Sequence, residues 1–281
     1  MNTSKSTTPD DITIEPRRPA FDFSEVPRYW LRDPFATHFM NALSVFVPYS
    51  ERTVLEIIRK YANHISDPRL LREMDALFKQ EGLHALLHIR CNGLLGGCGY
   101  SAFHVFEVIQ RSFVKLVRKI SPAMWELAIP AAFEFFTSEI SREFAGNRAA
   151  WVGDELNEAV DFTSWHALEE MEHQAVCYDV FKALNNPSWI LTAILISCWI
   201  PATVVSIYGV QLYLLFKDRV LLKPRNWVPY LKFIGTSLPM LTRGTFKYLS
   251  GSYRPWTPAD QKLYWMHKER MASFLEKRVA A

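Results

Sequence analysis

The chain of 281 residues has little of what marks several large protein classes. Its 11 glycines give no regular turn punctuation between short strands, which disfavours a sandwich or barrel. Its four cysteines, Cys91, Cys98, Cys177 and Cys198, include no CxxC pair, so neither a zinc knuckle nor a dithiol redox motif is indicated. Scattered thiols of this kind fit a reducing compartment. Positive charge is not in excess. The net charge is +3 and no Lys/Arg run with interleaved aromatics occurs, which argues against a nucleic-acid partner. Also missing are a nucleotide or flavin fingerprint and an internal repeat at a period of about 20–50 residues. Residues 1–19 are polar and lack the apolar core of a secretory signal. Residues 1–29 read as a disordered lead-in to a part expected to work in the cytoplasm.

What is present is apolar and helical. The 49% hydrophobic content supports a sizeable core. Apolar spacing begins at 37–46 and is interrupted at Pro48, after which Ser50 suits the N-cap of a helix over 51–65. Asp67-Pro68 opens a helix expected to stop at the glycines of 93–99. Further helices are expected over 101–120, from Ser121-Pro122 to Gly146 with a bend at Pro130, and over 154–184 up to Asn185-Asn186-Pro187. Such lengths suit an all-α four-helix bundle over 30–186, with 101–120 as a crossover. Residues 187–281 differ in character. The run 189–216 has no formal charge but contains Pro201 and Gln211, and two readings stay open: bilayer contact or an apolar helix pair on the core. The tail from Pro255 reads as an amphipathic helix.

Two helices repeat one pattern. Glu81 and His84 are three residues apart, as are Glu170 and His173, so at about 100° per residue each pair shares a face. His166 joins the second face one turn earlier, and His88 extends the first. Glu169 lies at the border of its face and Glu172 points elsewhere. Two Glu-x-x-His pairs on different helices can hold two metal ions, the carboxylates bridging and each imidazole ligating one ion. Two more carboxylates should come from the remaining helices. Glu134 is the best candidate on its helix, because a carboxylate among Ala131-Ala132-Phe133 and Phe135-Phe136 needs compensation. Glu139 and Glu143 look solvated. On the first helix the candidate is Glu51, with Glu56 as the alternative. His88 and Glu169 read as groups that hold ligands in place.

The segments Gln80-Glu81-x-x-His84-x-x-x-His88 and Trp165-His166-x-x-Glu169-Glu170-x-Glu172-His173, with Phe46-x-Pro48-x-x-Glu51 before them, resemble the ferritin-like family known as predicted metal-dependent hydrolases. Tyr49-Ser50 stands where that family often has Glu-Gly. The spacing His166-x-x-x-Glu170-x-x-His173 is also similar to that of di-iron N-oxygenases acting on aryl amines. The resemblance implies a ferritin-like bundle and a ligand set of Glu51, Glu81, His84, Glu134, His166, Glu170 and His173.

Mixed nitrogen and oxygen ligation without thiolate suits two iron ions and is compatible with manganese or zinc. The first expectation is an oxygenase or oxidase that acts on a small, apolar organic substrate with O2, served by a separate electron-donating reductase. The alternative is hydrolysis of an ester, lactone or phosphoester by metal-activated water. A non-enzymatic, membrane-associated protein with structural histidines is the third reading. The sequence also admits a homo-oligomer and a place at the inner face of a membrane.

Overall fold

Asp33 starts the first helix by accepting hydrogen bonds from the Phe35 and Ala36 N–H groups, both at 2.9 Å, with Pro34 at the first helical position. The computed structural model describes residues 5–100, 103–120, 126–154, 156–184, 200–249 and 253–279. Its helices are α1 Pro34–Tyr61, α2 Pro68–Gly97, α3 Phe103–Ile120, α4 Ala128–Gly146, the short α5 Arg148–Trp151, α6 Glu158–His173, α7 Val176–Ala183, α8 Ile200–Lys217, α9 Trp227–Leu249 and α10 Pro258–Val279. No strand occurs among the described residues. The protein is an all-helical bundle. α1 packs on α2, α4 on α6, α1 on α4 and α2 on α6, which closes a ring of four helices, while α3 lies on α1 and α8.

The expected helix start at Ser50 is not observed, because α1 passes through Pro48 without ending. A proline inside a helix removes one N–H and leaves the carbonyl four residues earlier, here that of Ser44, without its helical donor. Asn92 of α2 replaces that donor, its Nδ2 giving a hydrogen bond to Ser44 O at 2.7 Å. α2 likewise runs past Gly93 to Gly97, and the chain turns at Gly99, whose φ of 88° is a left-handed conformation open to glycine. The single helix expected over 154–184 is two helices, α6 and α7, parted after His173 at Gln174. α6 itself begins at Asn157, which accepts from the Ala159 and Val160 N–H groups. Pro130 falls in the first turn of α4, where its missing N–H costs little.

The lead-in is also corrected. Residues 5–29 are packed on the bundle, with Ile12, Ile14, Phe21 and Phe23 buried. Phe21 lies 5.5 Å from the Phe162 ring and 5.7 Å from that of Trp165, so its apolar residues extend the core over α6. The C-terminal helices join the same body, α8 packing on α1 and α10 on α4 and α6. Gln211, the polar residue in the apolar run, is buried and ties α8 to α1, its Nε2 donating to Phe35 O at 2.9 Å. Among the described residues no helix is long and apolar enough to cross a membrane. Four expectations fall outside the described residues: the first four residues of the lead-in, the Ser121-Pro122 helix start, the Asn185-Asn186-Pro187 stop and the 189–199 part of the apolar run.

Candidate metal centre

The helix ring brings all seven expected ligands to one buried place. They form two groups, Glu51, His84, His166 and Glu170 in one and Glu81, Glu134 and His173 in the other, with ligand atoms in each group within 4.8 Å of one another. Opposite ligands of one ion with bonds of about 2.0–2.2 Å sit about 4.2 Å apart, so sub-ångström side-chain shifts close each group on a metal. α1 contributes Glu51, α2 Glu81 and His84, α4 Glu134, and α6 His166, Glu170 and His173. Glu56, the alternative on α1, instead pairs at the surface with Arg118 at 2.8 Å.

Two carboxylates link the groups. Glu81 Oε1 lies 3.2 Å from His84 Nδ1 and 3.3 Å from His173 Nε2. Glu170 places Oε1 3.0 Å from His166 Nε2 and Oε2 3.4 Å from His173 Nε2. Glu134 Oε2 reaches His173 Nε2 at 3.1 Å, and Glu51 Oε1 reaches His166 Nε2 at 3.5 Å.

Each histidine turns one nitrogen to this centre and has the other held by a neighbour. His84 Nε2–H donates to Glu169 Oε2 at 3.1 Å, and His173 Nδ1–H donates to Gln80 Oε1 at 2.9 Å. His166 Nδ1–H donates to His88 Nε2 at 3.0 Å. His88 Nδ1–H donates to Ser44 Oγ at 2.8 Å, and Ser44 Oγ–H to Asn92 Oδ1 at 2.7 Å. These bonds fix the tautomers that leave Nδ1 of His84 and Nε2 of His166 and His173 with free lone pairs facing inward.

Several neighbours carry no helical spacing signal. Glu172 does point away from the centre, yet it is buried in a second polar cluster. It accepts from Gln80 Nε2 at 2.9 Å, from Tyr264 OH at 3.0 Å, and from both terminal nitrogens of Arg17, at 3.0 Å and 2.7 Å. Arg17 Nη1 also lies 3.3 Å from Glu169 Oε1. A buried guanidinium from the lead-in therefore offsets the two acids behind the histidines. Arg17 and Tyr264 lie far from the motifs in sequence, and the one signal that could have shown the Arg17 segment to pack is its apolar residues Ile12, Ile14, Phe21 and Phe23.

The electrostatics of the centre are unbalanced by protein groups alone. Burial, then the neighbouring carboxylates, pushes Glu51 and Glu81 well above the usual range. Burial raises Glu134 as well, against the pull of His173. Glu170 moves the other way: burial opposes its ionisation, but the His166 and His173 imidazoles beside it hold it well below 4.5. Burial and then His166 lower His84, whereas on His173 burial is outweighed by Glu134 and Glu170, which raise it. Both oxygens of Glu51 and of Glu134, Oε2 of Glu81, Oε2 of Glu170 and Nε2 of His173 are buried without a hydrogen-bond partner. Buried polar atoms are almost always paired, so this concentration of orphans needs an explanation. Four carboxylates would carry a charge of −4, and two divalent cations would cancel it, so the donor set fits a two-metal centre.

No curated protein and no solved structure matches the chain. A family model described as predicted metal-dependent hydrolase matches residues 15–259. That span takes in both ligand groups, Arg17 and all helices up to α9, and the chain belongs to this family of predicted metal-dependent hydrolases.

Proposed function

We propose that the protein is a hydrolase that binds two divalent metal ions through Glu51, His84, His166 and Glu170 on one side and Glu81, Glu134 and His173 on the other. The observation that carries the reading is the set of orphaned, buried carboxylate oxygens gathered around three oriented imidazoles. Membership of a family of predicted metal-dependent hydrolases supports hydrolysis as the reaction class. When bound, such a pair supplies a water of lowered pKa and a Lewis acid for the attacked oxygen.

The chain's own residues prepare that chemistry. Glu81 and Glu170, each facing both groups, would be placed to hold both ions. Glu169, Gln80 and His88 hold the imidazole protons outward, so the inward nitrogens stay available as donors of electron pairs. The centre opens on one side. His166 keeps 12% of its side-chain surface exposed, while His84 and His173 have 0%. Substrate therefore approaches at His166 and Glu170.

Oxidation with O2 on two irons is the second reading, favoured by the third histidine, His166, and by the carboxylate-rich donor set. Metal analysis of the purified protein is expected to give about two ions per chain. Turnover of esters or lactones under strict anaerobiosis supports hydrolysis, and turnover that requires O2 and a reductant supports oxidation. Folded protein that retains no iron, manganese or zinc after loading refutes both.

A further inference from the structure

A cavity of about 230 Å3 lies against the open side of the centre, which it reaches at His166 and Glu170. From there it follows the bundle axis. Its lining runs from Ser50 back to Met40 on α1, from Phe133 to Phe144 on α4, and from Glu170 back to Ala159 on α6. Each of these stretches covers about 15 Å at 1.5 Å per residue. α3 and α8 cover the remaining sides through residues such as Phe113 and Ile207.

Volume and length together constrain the occupant. An apolar cavity of about 150 Å3 accepts benzene, or about 25 Å3 per carbon, so this one accepts about nine non-hydrogen atoms. Spread over about 15 Å, that volume is narrow and suits a single extended chain better than a ring. The walls are mainly apolar, with Leu43, Phe46, Val47, Phe136, Ile140 and Phe162 along the channel. Among the described lining residues there is no Lys, Arg or Asp, and Glu170 at the metal end is the one acid. A charged tail would lose its hydration and find no counter-ion. At the metal end Gln110 Nε2 donates to Phe46 O and Ser50 Oγ, both at 2.8 Å, and leaves its buried Oε1 without a partner. That oxygen accepts only from a donor, which an ester lacks and the hydroxyl of an alcohol supplies.

We infer that the channel holds the tail of a neutral acyl ester of about eight carbons, with the scissile carbonyl at His166 and Glu170; this rests on the hydrolase reading above. Water adds across the acyl C–O bond, its oxygen going to the carbonyl carbon and a proton to the departing alkoxide. The products are an acid and an alcohol, and no electron donor is consumed.

The test is isothermal titration of the metal-loaded protein with primary alcohols of four to ten carbons, which mimic tail and head without reacting. Affinity is expected to rise about fourfold per methylene, then level off near eight carbons. Benzyl alcohol, equal to 1-heptanol in non-hydrogen atoms, should bind at least tenfold more weakly than 1-heptanol. The cationic 8-amino-1-octanol should bind at least tenfold more weakly than 1-octanol. Ile140→Trp on α4 and Ser206→Phe on α8 narrow the channel from different helices, and each should move the plateau to shorter chains with metal content unchanged. A flat chain-length profile in metal-loaded protein overturns this inference alone, as does equal binding of the ring, of the charged tail, or of 1-octanol to both variants. A protein that binds no metal overturns the reading on which it rests.

Discussion

Removing the Arg17 guanidinium is expected to damage the metal centre from a distance. Its side chain is 5% exposed and those of Glu169 and Glu172 are 0%, so Arg17→Met leaves two acids buried without their cation. Breaking a buried ion pair in this way costs about 3–5 kcal/mol. Burial already holds Glu169 up to about 8, with Glu172 raising it further and Arg17 opposing. Without Arg17, Glu169 shifts further towards its neutral form and holds the His84 Nε2–H less firmly. Loss of a group that orients a ligand typically lowers metal affinity about 10–100-fold. Two assays separate the effects: urea unfolding of the metal-free protein, and competition for metal against a chelator. Adding Glu172→Gln to Arg17→Met removes one stranded charge and should recover part of the stability. Unfolding free energies for Arg17→Met and the parent within about 0.5 kcal/mol, or equal metal affinities, would refute the reasoning.

Three other outcomes are expected. Asn92→Ala strands the Ser44 carbonyl and should cost about 1–3 kcal/mol, whereas in a Pro48→Ala background the restored N–H should recover much of the loss; urea midpoints that show simple additivity count against this. Glu134→Ala or His173→Ala should lower bound metal by about one ion per chain in elemental analysis while circular dichroism stays helical, and full occupancy in both would remove these residues from the ligand set. Burial, against hydrogen bonds from Thr7, raises Asp179 to about 7 from 3.8, so the folded state holds the proton more tightly than the unfolded chain. The stability this gives is present below about pH 4 and lost as pH rises to about 7, so Asp179→Asn should gain on the parent across that window by up to about 4 kcal/mol. Parallel stability curves for the two proteins would show that Asp179 does not titrate there.

The parts of the site that could be read from the sequence are those written in helical spacing. Glu81 with His84, and His166 with Glu170 and His173, share faces because of the angle between successive residues, and that holds before any packing. Glu134 could be singled out because an acid between Phe133 and Phe135 has no cheap explanation. What escaped depends on partners distant in sequence. Pro48 reads as a helix end because its remedy, Asn92, lies on another helix. The packing of the lead-in depends on Arg17 meeting Glu169 and Glu172, contacts across 152 and 155 residues that no local period records. The glycine cluster 93–99 does end α2, but at Gly97 rather than near Asn92, because propensity is a weak prior and α2 lies along α1.

That long separation orders events during synthesis. Arg17 leaves the ribosome about 8–30 s before Glu169 and Glu172 at ordinary rates of about 5–20 residues per second. Throughout that interval Glu15, two residues away and 2.7 Å from Arg17 in the folded protein, stands in for the two buried acids, and the lead-in has no α6 to lie on. Contacts of such high separation form late, because chain entropy must be overcome before they stabilise anything. The four ligand-bearing helices can therefore meet while the side later covered by the first residues is still bare, and the lead-in closes over α6 last.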